Sequence, residues 1–460
     1  MRLTNRTFEE IEPGECCELR RLITSDDLII FAASSGNTNP QHLTDSTPDA
    51  EGRSERSAPG MFVASLISAI LGTKLPGPGT LYRSQSLDFH ARAFAGDEVI
   101  ATVRVLEKRE DGDIRLETTI RRAGDDAPIV TGEAIVAAPT EKFDRDGIDV
   151  PGLIVQRHRH FEALLEQARA RPALRTAVVW PTEPNALQGA VLAAREGLIT
   201  PILIGSRDLI TSAAKGIDVD PSAFEIVEAG SESAAAALAC ELVHEGRAGA
   251  VMKGHLHTDD LLKPMLDKQR GLRIGRRFTH VFVMDVPGRD EPLMVTDAAI
   301  NIAPDLATKV DICQNAIDLA LSLRLEPRVG VLSAVETVNP AIQSSIDAAL
   351  LSKMAERGQI RGGQVEGPLA MDNAVDLAAA RGKGLKGGVA GRANILVAPG
   401  LDAANMLAKQ LAYISHAEAA GLMLGARVPV ILTSRSDSAM SRLASCAVAA
   451  LHQAAERPKA

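Results

Sequence analysis

The sequence predicts two kinds of domain in succession: an α+β unit, in which an antiparallel sheet curls round one central helix, followed by a two-lobed α/β unit. Three observations predict this. Between residues 80 and 139 the chain is a series of alternating or β-branched runs punctuated by Gly and Asp. Just before them lies one long apolar segment with helical character. Beyond residue 150 the texture changes to short apolar runs separated by Ala-rich helical stretches, the pattern of a mainly parallel sheet covered on both faces.

In order, "PGMFVASLISAILGTKLPGPG" (59–79) opens with Pro and leaves through Gly and Pro, which predicts a helix buried on most sides. The segments 80–94, 98–110, 113–124 and 128–139 predict successive antiparallel strands, and wrapping them round the helix is the natural packing. "PTEKFDRDGIDVPG" (139–152) is charged and turn-rich and predicts a linker, which places domain limits at 1–140, 141–152 and 153–460. "TAVVWP" (176–181), "PILIG" (201–205), "GAVMKG" (249–254), "THVFVMDVP" (279–287), "RVGVLSAV" (328–335), "ANILVAPG" (393–400) and "VPVILTS" (428–434) predict strands of the second unit. Its roughly 310 residues exceed what one α/β domain usually holds, so two lobes are expected. His158 and His160 open its first helix and read as solvated surface residues.

Composition narrows the function. With 45% hydrophobic and 24% charged residues the chain can bury a sizeable core. A formal net charge of -9 argues against nucleic acid as a partner, because a phosphate-backbone binder needs a basic face. Five scattered cysteines without a C-x-x-C pair indicate neither a disulfide framework nor a zinc site, and read as reduced thiols of a cytoplasmic protein. No apolar run approaches the ~20 residues that span a bilayer, and no signal peptide is visible.

Chemistry is sought where strands run into helices. In "VILTSRSDSAMSR" an apolar strand leads to Ser434 and Arg435, then to a helix near Asp437. Hydroxyl, guanidinium and helix N–H groups there suit an anion, preferably phosphate; an N-cap serine beside a surface arginine is the plain alternative. "MKGHLHTDDLLKP" is a second such turn, with Lys253, His255, His257, Thr258 and Lys263. Its H-x-H lacks a third ligand at a recognisable spacing, so no metal is expected. "TDAAINIAPD" supplies Asn301 in a polar loop, and "RGKGLKGGVAGR" (381–392) reads as a mobile, basic, Gly-rich loop, either solvated or a phosphate clamp. No Walker motif is present and no G-x-G-x-x-G follows a strand, so a nicotinamide cofactor has no support.

Six segments, "MKGHLHTDDLLKPML", "TDAAINIAPDLATK", "VGVLSAVETVNP", "GPLAMDNAVD", "ANILVAPGLDAANMLAKQL" and "GARVPVILTSRSDS", resemble in order and spacing the phosphate acetyltransferase/butyryltransferase family across about 151–460. The resemblance implies a two-lobed α/β fold related to the isocitrate dehydrogenases and the reaction acyl-CoA + phosphate ⇌ acyl phosphate + CoA, with no cofactor beyond those substrates. It implies that Ser434 and Arg435 are active-site residues and that Lys263 takes the place of a second basic residue. The acetyltransferase subgroup has an acidic residue seven positions after that serine, where this chain has Ser441. Asp437 is the nearer carboxylate.

"FAASSGNTNPQH", "PGMFVASLISAILGTKLPGPGTLY" and "QSLDFHARAFAGDEV" resemble the MaoC-like (R)-specific enoyl-CoA hydratases, which implies a hot-dog fold for the first 140 residues. Active members read approximately S-G-D-x-N-P-x-H. His42 stands in the His place, Asn39 matches, and Asn37 replaces the Asp. Gly60 falls where a backbone N–H polarises the thioester carbonyl, although Pro59 precedes it in place of the usual His. An amide cannot take a proton, so hydration would rest on His42 alone or on another carboxylate such as Asp45, Asp49 or Glu51.

The sequence therefore supports an acyltransferase fused to a hydratase-like domain, impaired or working, and two alternatives stay open: an acyltransferase whose first domain only binds acyl-CoA or dimerises, and a non-enzymatic acyl-CoA sensor. A dehydrogenase is disfavoured by the absence of a cofactor fingerprint. Since hot-dog domains normally dimerise, the resemblance also implies a homo-oligomer.

Overall fold

Alternation of buried and exposed residues along the strands builds the first unit. The computed structural model describes residues 2–43, 56–146, 159–432 and 437–456, and the chain divides into two compact units, Met1–Val155 and Gln156–Ala460. The first contains β1 (Arg2–Thr4), β2 (Cys16–Leu22), α1 (Ser25–Ser35), α2 (Pro40–Leu43), α3 (Gly60–Thr73), β3 (Leu81–Gln85), β4 (Asp88–Phe89), β5 (Glu98–Lys108), β6 (Asp113–Arg122), β7 (Pro128–Ala137) and β8 (Asp144–Asp146). The main sheet runs β2-β5-β6-β7-β3, antiparallel throughout, with β4 also on β7. Its concave side packs Val99, Val103, Ile114 and Leu116 against Val63, Ile67, Ile70 and Leu71 of α3, the expected central helix.

Two expectations for this unit change. The strand expected over 80–94 divides into β3 and β4 because the chain at Ser86 crosses close over Gly132, where a Cβ would lie 2.0 Å from the Ser86 carbonyl oxygen. The segment expected to be a linker begins as structure: β8 pairs antiparallel with β1, Thr4 opposite Asp144.

The second unit contains α4 (Arg159–Arg169), β9 (Leu174–Val179), α5 (Pro184–Arg195), β10 (Ile199–Gly205), α6 (Arg207–Lys215), β11 (Glu225–Glu228), α7 (Glu232–His244), β12 (Ala250–Lys253), α8 (Thr258–Met265), β13 (Thr279–Asp285), β14 (Leu293–Thr296) and α9 (Leu306–Ser322). It continues with β15 (Arg328–Leu332), α10 (Gln343–Glu356), β16 (Gln364–Leu369), α11 (Met371–Val375), α12 (Leu377–Gly382), β17 (Ile395–Val397), α13 (Leu401–Tyr413), β18 (Glu418–Leu424), β19 (Val430–Ile431) and α14 (Ala439–Glu456). One eleven-stranded sheet joins them in the order β11-β10-β9-β12-β19-β18-β13-β14-β17-β15-β16.

The expected pair of lobes is present as two parallel blocks within that one sheet. Strands β11 to β19 along the order are parallel, as are β14, β17, β15 and β16. Between the blocks β18 is antiparallel to both β19 and β13, and β13 is antiparallel to β14. The blocks therefore run in opposite directions. One face is covered by a core shared by α4, α5, α9 and α14, and the other by two separate clusters, one under α7 and α8 and one under α11, α12 and α13.

Two local readings are corrected here. His160 is half-buried, with Nε2 3.0 Å from the Arg289 carbonyl oxygen, so it joins α4 to the β13–β14 turn rather than lying in solvent. The Gly-rich loop 381–392 is neither a loose loop nor an open phosphate cradle. Its Val389 and Ala390 N–H groups donate to Glu366 Oε2 at 3.0 and 3.1 Å, and a Cβ at Gly387 would sit 2.0 Å from that carboxylate. The glycines admit an internal anion.

Candidate functional site

The site of the second unit is built where β12 and β19 end side by side. Met252 is in register with Ile431, Ile431 with Leu422, and Leu422 with Val281, and all four lie in the core of one face. Alternation then turns Lys253, Leu432, Gly421 and Phe282 to the opposite face. Gly421 is required there: a Cβ would stand 2.7 Å from the Leu432 carbonyl oxygen, 3.3 Å from His280 Nε2 and 3.4 Å from the Phe282 ring. His280 is 2% exposed and packs edge-on against Phe282, ring centroids 4.5 Å apart, and burial pushes its imidazole down to about 4. It is neutral at physiological pH.

The turn after β12 is fixed by backbone. Gly254 N–H donates to Val179 O at 2.9 Å and His255 N–H to Trp180 O at 2.8 Å, and a Cβ on Gly254 would meet those carbonyls at 2.3 and 2.6 Å. His255 Nε2 lies 3.3 Å from Glu183 Oε1, so the first His of H-x-H faces a carboxylate at the start of α5. Thr258 opens α8, half-exposed, and Lys263 is exposed in its last turn, with no ion pair among the described residues. Among the described residues no group of three or more His, Cys, Asp or Glu is placed to hold a metal.

Asn301 serves its own loop. Its Nδ2 donates to Phe278 O at 2.8 Å and to Asp297 Oδ2 at 2.5 Å, while Asp297 also receives the N–H groups of Ala299, Ile300 and Asn301. Burial pushes the Asp297 carboxyl up against those bonds. The loop is tied to α13 through Asn405 Nδ2 on Ala298 O and Leu401 N–H on Ile302 O. With both amide hydrogens engaged, Asn301 offers a ligand only its oxygen.

Ser434 and Arg435 lie outside the described residues, and the segment that carries them is bounded by Leu432 and the half-buried Asp437. Those two flanking residues line a cavity of about 260 Å³, together with Phe282, Ala412, Glu418 and Ser441 among others. Glu418 opens β18, and its Oε2 accepts Ser438 Oγ at 2.6 Å and Ser441 Oγ at 2.5 Å. Sequence reasoning missed Glu418. A lone carboxylate heading the otherwise apolar "EAAGLML" was the available signal.

In the first unit, a Thr24–Asp27 capping box starts α1 and Gly36, at φ +75°, ends it. Asn37 Oδ1 then accepts Asn39 N–H and Asn39 Oδ1 accepts Gln41 N–H, both at 3.3 Å, so each asparagine shapes a turn. His42 is buried, with Nδ1 2.7 Å from the Ser57 carbonyl oxygen. A carbonyl only accepts, so the neutral ring carries its proton on Nδ1 and keeps a lone pair on Nε2, 3.3 Å from Gln41 Nε2. Asn37 makes no hydrogen bond to His42. Ser57 is three residues before Gly60, whose N–H belongs to the first turn of α3 and has no intrahelical acceptor. Asp45, Asp49 and Glu51 lie outside the described residues.

Residues 231–450 match the family model for phosphate acetyl/butaryl transferase, and residues 11–123 match that for a MaoC like domain. A phosphate acetyltransferase of Rhizobium meliloti is 55% identical over 298 residues, 65% of this chain and 94% of the relative. A phosphate butyryltransferase of Clostridium beijerinckii is 40% identical over 294 residues, 64% and 97% of the two chains. The crystal structure of a branched-chain phosphotransacylase from Enterococcus faecalis V583 is similar at 31% identity and TM-score 0.53, covering 61% of this chain and 99% of that one. Matching motifs, an opposed-block α/β sheet and near-complete coverage of these relatives agree: the chain belongs to the phosphate acetyl/butyryl transferase family and carries a MaoC-like hot-dog domain ahead of its transferase part.

Proposed function

We propose that the second unit transfers an acyl group between coenzyme A and inorganic phosphate, and that Ser434, Arg435, Lys253 and Lys263 hold the reactants. The observation that supports this most is the adjacency of β12 and β19: the turn carrying Lys253 and Thr258, and the segment carrying Ser434 and Arg435, leave neighbouring parallel strands at their carboxyl ends. In the reaction a phosphate oxygen forms a bond to the thioester carbonyl carbon, the C–S bond breaks, and the electron pair leaves on sulfur. Arg435 and the lysines hold the phosphate by charge-assisted hydrogen bonds and lower the cost of bringing it to the carbonyl. Ser434 and N–H groups before α14 stabilise the oxyanion or the departing thiolate. Glu418, with Asp437 near it, is the carboxylate available to take the phosphate proton or to orient the serines, a role that Ser441 cannot fill itself.

For the first unit, the lone pair on His42 Nε2 supports a water-activating role on a bound enoyl-CoA, with Gly60 N–H polarising the carbonyl and Asn39 shaping the turn. Asn37 withholds the second proton acceptor, and we read this unit as an impaired hydratase that still binds acyl-CoA. Among the described residues no helix is long and apolar enough to cross a membrane, and acyl-CoA and phosphate suit a cytoplasmic setting.

One assay on the purified protein tests the transferase reading. Phosphate-dependent release of CoA from acetyl-CoA and butyryl-CoA is expected in the wild type and absent in Arg435→Ala. If neither thioester is cleaved, the chain is an acyl-CoA sensor and the transferase reading is lost.

A further inference from the structure

We propose that a second cavity, at the starts of β14, β15, β16 and β17, binds a small organic phosphomonoester, with Arg289 and Arg392 holding its phosphate. The cavity is about 570 Å³, within the ~300–1,000 Å³ of small-molecule sites, and shares no described lining residue with the one lined by Leu432 and Asp437. Arg289 comes from the turn before β14, Arg328 is the first residue of β15, Gln364 is the first of β16, and Arg392 ends the Gly-rich loop before β17. The four strands are parallel neighbours, so their starts lie along one edge of the sheet.

Three guanidiniums line the cavity, and they are not equivalent. Arg328 is fully engaged: it pairs with Glu291 and, at 3.1 Å, with Glu326, and its Nε donates to the Arg392 carbonyl oxygen at 2.8 Å. Arg289 pairs with no carboxylate among the described residues. Its Nη2 donates to the Ala393 carbonyl oxygen at 3.3 Å, and its buried Nε has no acceptor among them. Burial lowers the pKa of this group, and a cation left so leaves the cost of its desolvation standing until an anion offsets it. The Ala393 contact also brings the Arg289 fork beside Arg392, which is exposed and likewise has no ion pair among the described residues. Two adjacent guanidiniums suit the three oxygens of a phosphate, whereas a carboxylate fills one fork.

The rest of the lining decides what the phosphate is attached to. Asp290 and Glu326 are exposed carboxylates on the same wall. They repel a polyanion and accept O–H or N–H donors, which selects a single phosphate on a hydroxyl-bearing molecule against a di- or triphosphate. Val375, the last residue of α11, and Leu377, the first of α12 and 37% exposed, add carbon for an apolar part. A nucleoside monophosphate carries all three features: one phosphate, a diol and a flat base.

The test is calorimetric titration of adenosine monophosphate, adenosine and inorganic phosphate into the full chain, with and without saturating CoA, in the wild type, Arg289→Gln and Arg392→Gln. The monophosphate is expected to bind with CoA present, at least tenfold more tightly than adenosine or inorganic phosphate. Each variant should weaken it at least tenfold. Because Arg392 is exposed, its variant keeps the fold and decides the matter if Arg289→Gln does not. No binding of the monophosphate, or binding unchanged within about twofold in Arg392→Gln, overturns the proposal. Binding that CoA abolishes would assign the nucleotide to the substrate site and overturn it too. Inorganic phosphate binding as tightly as the monophosphate would overturn the organic ligand class.

Discussion

The hydroxyl of Ser441 donates to Glu418 Oε2 across 2.5 Å, joining the first turn of helix α14 to the first residue of the neighbouring strand β18. A carboxylate is thereby held beside the cavity although position 441 has none. Replacing Glu418 with Gln removes the charge and the proton acceptor while keeping the shape. If the carboxylate takes a proton in the reaction, kcat for CoA release falls by about 10²–10⁴ with KM for acyl-CoA little changed. Ser441→Ala, which only loosens the carboxylate, should cost less than tenfold. Equal losses in the two variants would mean a shared structural role.

Restoring an acid at position 37 tests the first unit. His42 carries its ring proton on Nδ1, which leaves Nε2 as an acceptor, and position 37 holds an amide where a carboxylate could take a proton. Asn37→Asp should raise crotonyl-CoA hydration by about 10²-fold or more, and His42→Asn in that background should abolish the gain. Strong hydration by the wild type would show that His42 has another helper.

Acid should weaken the second unit through two buried imidazoles. His280 and His452 are both pushed down to about 4 from an ordinary 6.5 by burial. The unfolded chain then binds protons at higher pH than the folded one, so the stabilisation is complete above about 6.5 and is lost as pH falls towards 4, by roughly 3 kcal/mol for each histidine. Urea unfolding at pH 7, 5.5 and 4.5 should show this slope. It should be shallower in His280→Gln, and parallel curves for variant and wild type would remove His280 as a cause.

The turn after β12 tolerates no side chain at position 254, where a Cβ would meet two backbone carbonyls at 2.3 and 2.6 Å. Gly254→Ala should destabilise the fold by about 1–3 kcal/mol and lower transferase kcat/KM by displacing Lys253 and Thr258. Thermal melting paired with the CoA-release assay reads both effects. Unchanged kinetics would detach this turn from the site.

Glu366 should keep the Gly-rich loop closed. In Glu366→Ala the N–H groups of Val389 and Ala390 lose their acceptor, and trypsin should cut at Arg381, Lys383, Lys386 or Arg392 several-fold faster than in the wild type. The same rate in both proteins would mean that the glycines alone fix the loop.

Much of the fold was legible where β-branched runs were long. "EVIATVRVLEKRE" and "DIRLETTIRRAG" became β5 and β6 almost residue for residue, and the apolar 59–79 segment became α3. Strand β18 was not legible, because the Ala and Gly in "EAAGLML" carry no β preference and acquire strand geometry only between β13 and β19. Strand direction was hidden too, since apolar periodicity is the same in a parallel and an antiparallel neighbour, so the sequence indicated two lobes but not that their blocks join in one sheet and run in opposite directions. At the site, spacing indicated His42 but could not show its tautomer, which depends on a carbonyl fifteen residues away. Glu418 was missed because its serines lie 20 and 23 residues along the chain.

Strand β19, which follows every other strand of its sheet in the sequence, sits in the interior of the sheet between β12 and β18, and α14 covers β18 and packs on α4 and α5. On the ribosome, β9 to β12 can gather as soon as they emerge, but the seam between the blocks stays open until residues 430–456 are out. A nascent chain halted before that point displays the apolar edges of β12 and β18 to chaperones and to other unfinished copies. A chain that stops before residue 430 should therefore yield aggregate rather than a weakened enzyme.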